Sequence, residues 1–260
     1  MKNEVVKEVR TQIIFLICFF AVWQLCNKTG LVADNALPSL EEILRSLKKA
    51  FVEDDLAMST LYSLGLLGRG LGLGVILAFV FSSLAMVSVV FKRIYNLIVS
   101  IFDLIPGVAL MPLAITWFGI GEGVIIFIVF HGVIWPMSRS VLDGFKGVPR
   151  LYLEEGTNFG LGGFRLVTGI YLPAASAAII SGLRVGWARA WRGLIAIEMI
   201  FGTTGSGSGI GWYIFERRTF VDTPGIYAAL IVIMAIGIVV EYAIFRNIEN
   251  RTVRKWGMTA

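Results

Sequence analysis

The sequence has little charge for its length. Of its 260 residues, 16% are charged and 57% are hydrophobic, whereas soluble domains average about 25% charged and about 45–50% apolar residues. This composition excludes an ordinary soluble domain and predicts a protein that crosses a membrane several times. The net charge of +5 does not predict nucleic-acid binding, because basic residues beside membrane spans set the orientation of those spans.

Residues that form catalytic or metal sites are also scarce. His131 is the one histidine, and without a Cys, His or acidic neighbour in sequence we interpret it as a packed, hydrogen-bonded residue rather than a metal ligand. Cys18 and Cys26 share one apolar run and would lie about 12 Å apart on a helix, too far for a disulfide. No hydrolase, metalloprotease or nucleotide-binding motif is present. We therefore predict a protein that is not an enzyme and that binds no metal and no cofactor of its own.

Apolar runs alternate with polar segments and predict an all-α integral membrane protein. The whole chain, 1–260, is expected to form one transmembrane domain with its core at 61–245. The first run resembles a signal peptide, but no small-residue cleavage site follows it. Long apolar stretches predict spans because about 20 residues of helix cross a bilayer. The six predicted spans are 11–26, 61–90, 94–118, 124–141, 174–201 and 224–245.

The polar segments between the spans carry local signals. Ser39 and Glu42 form a capping-box pattern, which predicts an amphipathic surface helix reaching Phe51. The stretch 202–223 is rich in glycine and serine, and we predict a loop there. Basic residues predict the orientation: 13 of the 23 would lie on the side of both termini and of the segment 143–173, counting Arg139 at the end of the fourth span, six on the other side, and the other four within spans. This bias places both termini and that segment in the cytoplasm.

The segment Glu154–Pro173 is the most distinctive polar stretch. Tyr152 and Phe159 are seven residues apart and would share one face of a helix. Gly160, followed by two further glycines, would end that helix, because glycine readily adopts left-handed conformations. A second helical piece, 164–171, then leads to Pro173. The expected result is a helix–glycine–helix projection, tied at each end to a membrane span.

The spacing of this segment resembles the E-A-A-x3-G-x9-I-x-L-P signature of permease subunits of ATP-binding-cassette (ABC) importers. Glu154, Gly160 and the I-x-L-P run match, whereas Glu155 and Gly156 replace the two alanines. The resemblance implies a coupling helix, within a coupling loop 143–173, that docks on the ATPase subunit. The residues to which it assigns this role are Glu154, Glu155, Gly156, Asn158, Gly160, Ile170, Leu172 and Pro173.

A second resemblance narrows the family. The runs Ile105–Leu113 and Trp117–Gly121 are similar to the I-P-x-x-A-L-x-P-L and W-F-G-x-G motifs of the nitrate, sulfonate, taurine and bicarbonate branch of these permeases. Asp103 stands where that branch often has a basic residue. The prolines Pro106 and Pro112 interrupt the third predicted span, and such breaks often line a cavity.

The resemblance implies the fold of a type I importer permease. It also implies its partners: a second copy of the chain, two ATPase subunits that bind the ATP, a periplasmic or lipid-anchored binding protein, and membrane lipid, but no nucleic acid. The expected location is the bacterial inner membrane. A stand-alone secondary transporter is the alternative, although we see no inverted repeat. An integral membrane enzyme would need an intramembrane cluster of histidines and acids, which the sequence lacks.

The fifth predicted span carries Arg184, Arg189, Arg192 and Glu198 among apolar residues. Such charges at membrane depth are costly and usually face a cavity or a partner. Arginine binds carboxylate, sulfonate or nitrate oxygens with paired hydrogen bonds, so these residues could either form ion pairs or line a pathway. Asp103 and Glu241 could neutralise two of the three arginines, and we expect Arg192 to contact a small transported anion. The residues predicted to line the pathway are Arg184, Trp191, Arg192, Glu198, Pro106 and Pro112.

Overall fold

A computed structural model describes residues 2–30, 32, 36–201 and 207–252, and within these ranges the protein is built of helices. The chain forms two compact units. The first comprises Met1–Ala57 and Tyr213–Val232, and the second comprises Met58–Trp212 and Ile233–Ala260.

The first unit contains α1 (Lys2–Lys28) and α2 (Leu40–Val52), together with most of α11 (Ile210–Thr219) and the first part of α12 (Thr223–Val239). The capping box that begins α2 is present as predicted. Ser39 Oγ accepts a hydrogen bond from the Glu42 backbone N–H at 3.2 Å, and the Glu42 carboxylate accepts one from the Ser39 backbone N–H at 2.8 Å. These bonds lower the pKa of Glu42, with the Ser39 backbone bond contributing most.

Helix α11 corrects the prediction of a loop over 202–223, of which residues 202–206 lie outside the described residues. Arg217 of α11 lies over the Tyr213 ring, 4.6 Å from its centroid, and pairs with Asp54 at 3.2 Å and Asp222 at 3.4 Å. Burial is the main cause that raises the pKa of Tyr213 to about 12. This cluster gives the helix long-range partners that glycine and serine counts do not reveal.

The second unit holds the remaining long helices. Pro106 begins a short 3₁₀ helix, Gly107–Leu110, which continues into α5, so the third predicted span is two segments bent by 93°. Because proline has no N–H and fixes its φ, α4 ends before it and the chain changes direction there. The helices of this region are α3 (Leu56–Val87), α4 (Val89–Phe102), α5 (Met111–Phe118), α6 (Glu122–Lys146) and α10 (Ser176–Phe201).

Helices α6 and α10 form the tightest pair of this unit. A Cβ added to Gly182 would lie 2.5 Å from the Cβ of Ser140, and one added to Gly144 would lie 2.8 Å from that of Ala178. Gly186 likewise faces Val133. Small residues at these positions let the two backbones approach closely, which is how helices pack in lipid without a hydrophobic driving force. The glycines of α3 divide between two environments, since Gly70 and Gly74 pack against α6 whereas Gly68 and Gly72 face open space.

Three short helices, α7 (Arg150–Asn158), α8 (Phe164–Leu166) and α9 (Leu172–Ala174), connect α6 to α10, with a π-helical turn at Val167–Tyr171. Helix α12 continues through a second π-helical stretch, Val240–Phe245, into α13 (Arg246–Arg251). Among the described residues, four helical stretches are long and apolar enough to cross a membrane, and counting each of two bent helix pairs as one span gives six. The predicted all-α, six-span fold is thus confirmed.

Candidate functional site

The polar segment between α6 and α10 has the predicted helix–glycine–helix form. After α7, the Gly160 N–H bonds to the Thr157 carbonyl and the Leu161 N–H to the Gly156 carbonyl, both at 2.9 Å. Gly160 has a φ of +78°. This pair of bonds around a left-handed glycine is a Schellman motif, which satisfies carbonyls that the helix end would leave without partners.

Inside this segment, Gly156 faces the side chains of Ile170 and Leu166. A Cβ at position 156 would collide with the end of the Ile170 side chain and lie 3.0 Å from Leu166 Cδ1. The glycine that replaces an alanine of the resembled signature therefore lets the two helical pieces close on each other. Ile170, matched to the isoleucine of the same signature, fills that contact.

The outer surface of the segment is both charged and apolar. Glu154, Glu155 and Asn158 are exposed, as are Phe159 (86%) and Phe164 (67%). Two phenylalanines this exposed at a glycine turn mark a surface suited to a protein partner, since aromatic residues are enriched at interfaces. Leu172 is partly buried and Pro173 exposed, at the point where α9 joins the segment to α10.

A cavity of about 360 Å³ lies where the bend after α4 meets α6 and α10. Its charged lining residues are Asp103, Arg189 and Arg192. The other lining residues are mostly apolar or glycine, and they are Leu104, Ile105, Pro106, Gly107, Val108, Ile128, His131, Gly132, Trp135 and Gly193. This volume is in the range of small-molecule sites.

Asp103 holds two arginines at this cavity. One carboxylate oxygen accepts from Arg189 Nη1 at 2.5 Å, and the other accepts from Arg139 Nε at 3.1 Å. The Asp103 side chain is 10% exposed, whereas those of Arg189 and Arg139 are 44% and 46% exposed. The three helices that meet here are thereby linked through one carboxylate.

Arg192 has a different environment. Its Nε donates to the Ala188 carbonyl at 3.0 Å, within its own helix, and it forms no ion pair with any described residue. The side chain is exposed and lines the cavity. The guanidinium therefore retains donors for a ligand oxygen.

His131 also lies at this cavity, and here the prediction was half correct. The residue is packed, with 4% exposure, between the rings of Phe127 and Trp135. However, neither ring nitrogen has a hydrogen-bond partner among the described groups. Buried polar groups are usually satisfied, and this imidazole lines the cavity.

Residues 70–254 match the family described as the binding-protein-dependent transport system inner membrane component. The chain belongs to this permease family. It is 27% identical to the putative aliphatic sulfonates transport permease protein SsuC of Bacillus subtilis, over 91% of this chain and 83% of that one. It is 28% identical to the taurine transport system permease protein TauC of Escherichia coli, over 62% and 56%. A putative ABC transporter permease protein of Methanocaldococcus jannaschii is 35% identical, over 56% of this chain and 54% of that one.

The permease is thus a multi-pass membrane protein of an ABC importer. Of its predicted pathway residues, the structure brings Pro106 and Arg192 together at the cavity. It also adds Arg189, Asp103 and His131, which helical periodicity alone could not group because they lie on three separate elements. Pro112 lies at the start of α5, exposed and outside the cavity lining.

The other three predicted pathway residues have partners elsewhere. Arg184 pairs with Glu241 at 3.3 Å and with Glu249 at 3.1 Å. Trp191 is buried against Trp187, with ring centroids 5.3 Å apart. These contacts are of the kind expected of packing residues, and Glu241, which was expected to neutralise one of the three arginines, pairs with Arg184.

Glu198 is 1% exposed and anchors the start of α11. Its carboxylate accepts from Ser63 Oγ at 2.7 Å and from the Gly211 N–H at 2.9 Å, and Ser63 Oγ accepts from the Ile210 N–H at 2.9 Å. A carboxylate at a helix N-terminus satisfies the free N–H groups there and interacts favourably with the helix dipole.

Proposed function

We propose that the permease carries a small sulfonate-type anion, and that the cavity at Arg192 lies on the translocation pathway. The observation that carries the proposal is that Arg192 lines this cavity without an acidic partner among the described residues. An arginine at membrane depth costs at least ~2.5–3.5 kcal/mol on insertion scales, so a stabilising partner is expected. Aliphatic sulfonates and taurine appear in the names of the relatives from Bacillus subtilis and Escherichia coli, and a sulfonate presents anionic oxygens that a guanidinium can bind with charge-assisted hydrogen bonds.

We propose the wider assembly by extension from the family. Two copies of the permease would pair in the membrane, with two ATPase subunits on the cytoplasmic side and a binding protein outside that delivers the solute. ATP would bind to the ATPase subunits, and the permease itself would need no cofactor. The exposed turn at Phe159 and Phe164, flanked by Glu154 and Asn158, would dock on the ATPase, which requires both termini in the cytoplasm.

Uptake measurements on an Arg192→Gln variant test the pathway. Cells that contain the ATPase and binding protein would be assayed for uptake of a labelled ethanesulfonate probe. Loss of a charged hydrogen bond of about 1.5–3 kcal/mol corresponds to a reduction of roughly tenfold to a hundredfold. Arg192→Lys, which retains the charge, should lose less. The assembled complex should be obtained in normal yield.

The alternative role for Arg192 is a structural ion pair with Asp103 or Glu241 in another conformation of the permease, since in this structure these acids pair with Arg189, Arg139 and Arg184. In that case Arg192→Gln should reduce the yield of the complex, and removal of the acidic partner should restore uptake. Normal uptake by Arg192→Gln would refute the pathway role. Uptake that persists without the ATPase would instead favour a stand-alone secondary transporter.

A further inference from the structure

Asp103 is the acidic member of the cavity lining, and its position on α4 is unfavourable for a carboxylate. It is the C-cap residue of that helix, where the helix dipole favours positive charge. Its partners Arg189 and Arg139 come from α10 and α6 and lie more than 30 residues away in sequence. The carboxylate is therefore held there by the arginines and not by its own helix.

The charges of the cavity do not balance. Arg189 and Arg192 contribute two positive charges to its lining and Asp103 contributes one negative charge, which leaves an excess of one. Arg192 follows Arg189 by three residues on α10, a rise of about 4.5 Å and a rotation that keeps both on neighbouring faces. A sulfonate has three oxygens, so one such group can accept from both guanidinium groups, provided that Arg189 is released.

We propose that Asp103 is an internal counter-anion that occupies Arg189 in the empty permease and gives it up to the transported anion. The solute then binds Arg189 and Arg192 together, and Asp103 takes Arg189 back when the solute leaves. This inference rests on the proposed function and adds the residue that competes with the substrate.

The two oxygens of Asp103 make this exchange feasible. Oδ1 accepts from Arg189, whereas Oδ2 accepts from Arg139. When Arg189 turns to the solute, Asp103 keeps Arg139 and is not left as an unpaired, largely buried charge, which would be costly. One carboxylate leaves the guanidinium as one sulfonate arrives, so a singly charged anion is the solute class that this exchange fits.

The test measures binding of ethanesulfonate to the purified permease–ATPase complex in lipid nanodiscs, as the concentration that gives half of the maximal thermal protection. Asp103→Asn should lower that concentration about fivefold, since removing a partly buried competing charge is comparable to about 1 kcal/mol. Glu241→Gln is the matched control, because it removes a carboxylate from Arg184 of the same helix outside the cavity lining. It should leave the concentration unchanged.

Two further variants keep the test decisive. Asp103→Asn combined with Arg189→Gln should lose the gain, because the released arginine is absent. If Asp103→Asn alone does not assemble, Arg139→Gln replaces it: Asp103 then holds Arg189 more strongly, and protection should need a severalfold higher concentration.

Four results would overturn the inference: no gain in Asp103→Asn, an equal gain in Glu241→Gln, no protection of any of these proteins by ethanesulfonate, or unchanged protection in Arg139→Gln. Reduced uptake in Arg192→Gln beside an unchanged Asp103→Asn would refute the exchange and leave the pathway intact. Normal uptake in Arg192→Gln would refute the pathway itself.

Discussion

Replacing Ser63 by alanine should destabilise the permease more than any other removal of one hydroxyl group in α3. The Ser63 side chain is fully buried and links two elements: it donates to the Glu198 carboxylate of α10 and accepts from the Ile210 N–H of α11. Alanine at this position leaves Glu198 with the Gly211 N–H as its remaining described partner.

The magnitude follows from these two bonds. A hydrogen bond to a charged acceptor contributes about 1.5–3 kcal/mol, and a buried N–H left without a partner costs about 1–3 kcal/mol. Together they predict a loss of about 3–5 kcal/mol, taken near the middle of the combined range because such terms are not additive. At about 2–4 °C per kcal/mol for a chain of this size, the unfolding midpoint should fall by at least about 6 °C.

The assay is thermal unfolding of the purified permease–ATPase complex, followed by the loss of the monodisperse peak in detergent. Ser59→Ala is the matched control, since Ser59 is also buried, one turn earlier on α3. Its side chain makes no hydrogen bond to the described part of the chain, so its midpoint should shift little. Equal shifts for the two variants would refute the role assigned to the Ser63–Glu198 contact.

Three other outcomes are expected. Gly160→Val should uncouple ATP hydrolysis from uptake, or prevent ATPase association, with membrane insertion intact, because position 160 has a φ of +78°. Gly162→Val should have a milder effect on uptake, because the added Cβ meets open space and the position has no positive φ. Normal transport by Gly160→Val would contradict the coupling role. In a cysteine-free background, a cysteine at Thr157 should be labelled from the cytoplasm and one at Ser206, which lies outside the described residues, from the other side; the reverse pattern would overturn the orientation. Because the pKa of Glu42 is lowered in the folded protein, its carboxylate stabilises α2 at pH values above the pKa of the unfolded chain, and this stabilisation is lost as the pH falls through the pKa of the folded protein. Between about pH 5 and pH 3, the amide protection of α2 should therefore decrease more in the wild type than in Glu42→Gln. Equal decreases would show that the cap does not contribute.

Local signals in the sequence predicted local structure well. The capping box at Ser39 and the helix end at Gly160 depend on residues at most a few positions apart, so their chemistry is visible in the sequence. The approximate positions of the apolar helices also followed from the long apolar runs, whereas the 93° bend that divides the third predicted span did not. The coupling role of the segment at Glu154 stays a prediction.

Long-range partners could not be predicted in the same way. Helix α11 was missed because its start is capped by Glu198, which precedes it by 12 residues, and by Ser63, which lies on a separate helix. Asp103 was recognised as a possible partner for an arginine of α10. The choice of Arg189 depends on the 93° bend after α4, whose angle is not encoded in any spacing.

The close packing of α6 against α10 would carry a movement of the predicted coupling segment, 143–173, to the cavity. The segment is attached to the ends of both helices, and their contacts at Gly144, Gly182 and Gly186 leave little space for one helix to slide along the other. The pair should therefore move as one lever, with the cavity at about 24 Å from the attachment, as counted from His131 to Gly147 along α6. A tilt of about 5° over that length displaces the cavity end by about 2 Å, which is enough to break a hydrogen bond such as the one between Arg189 and Asp103.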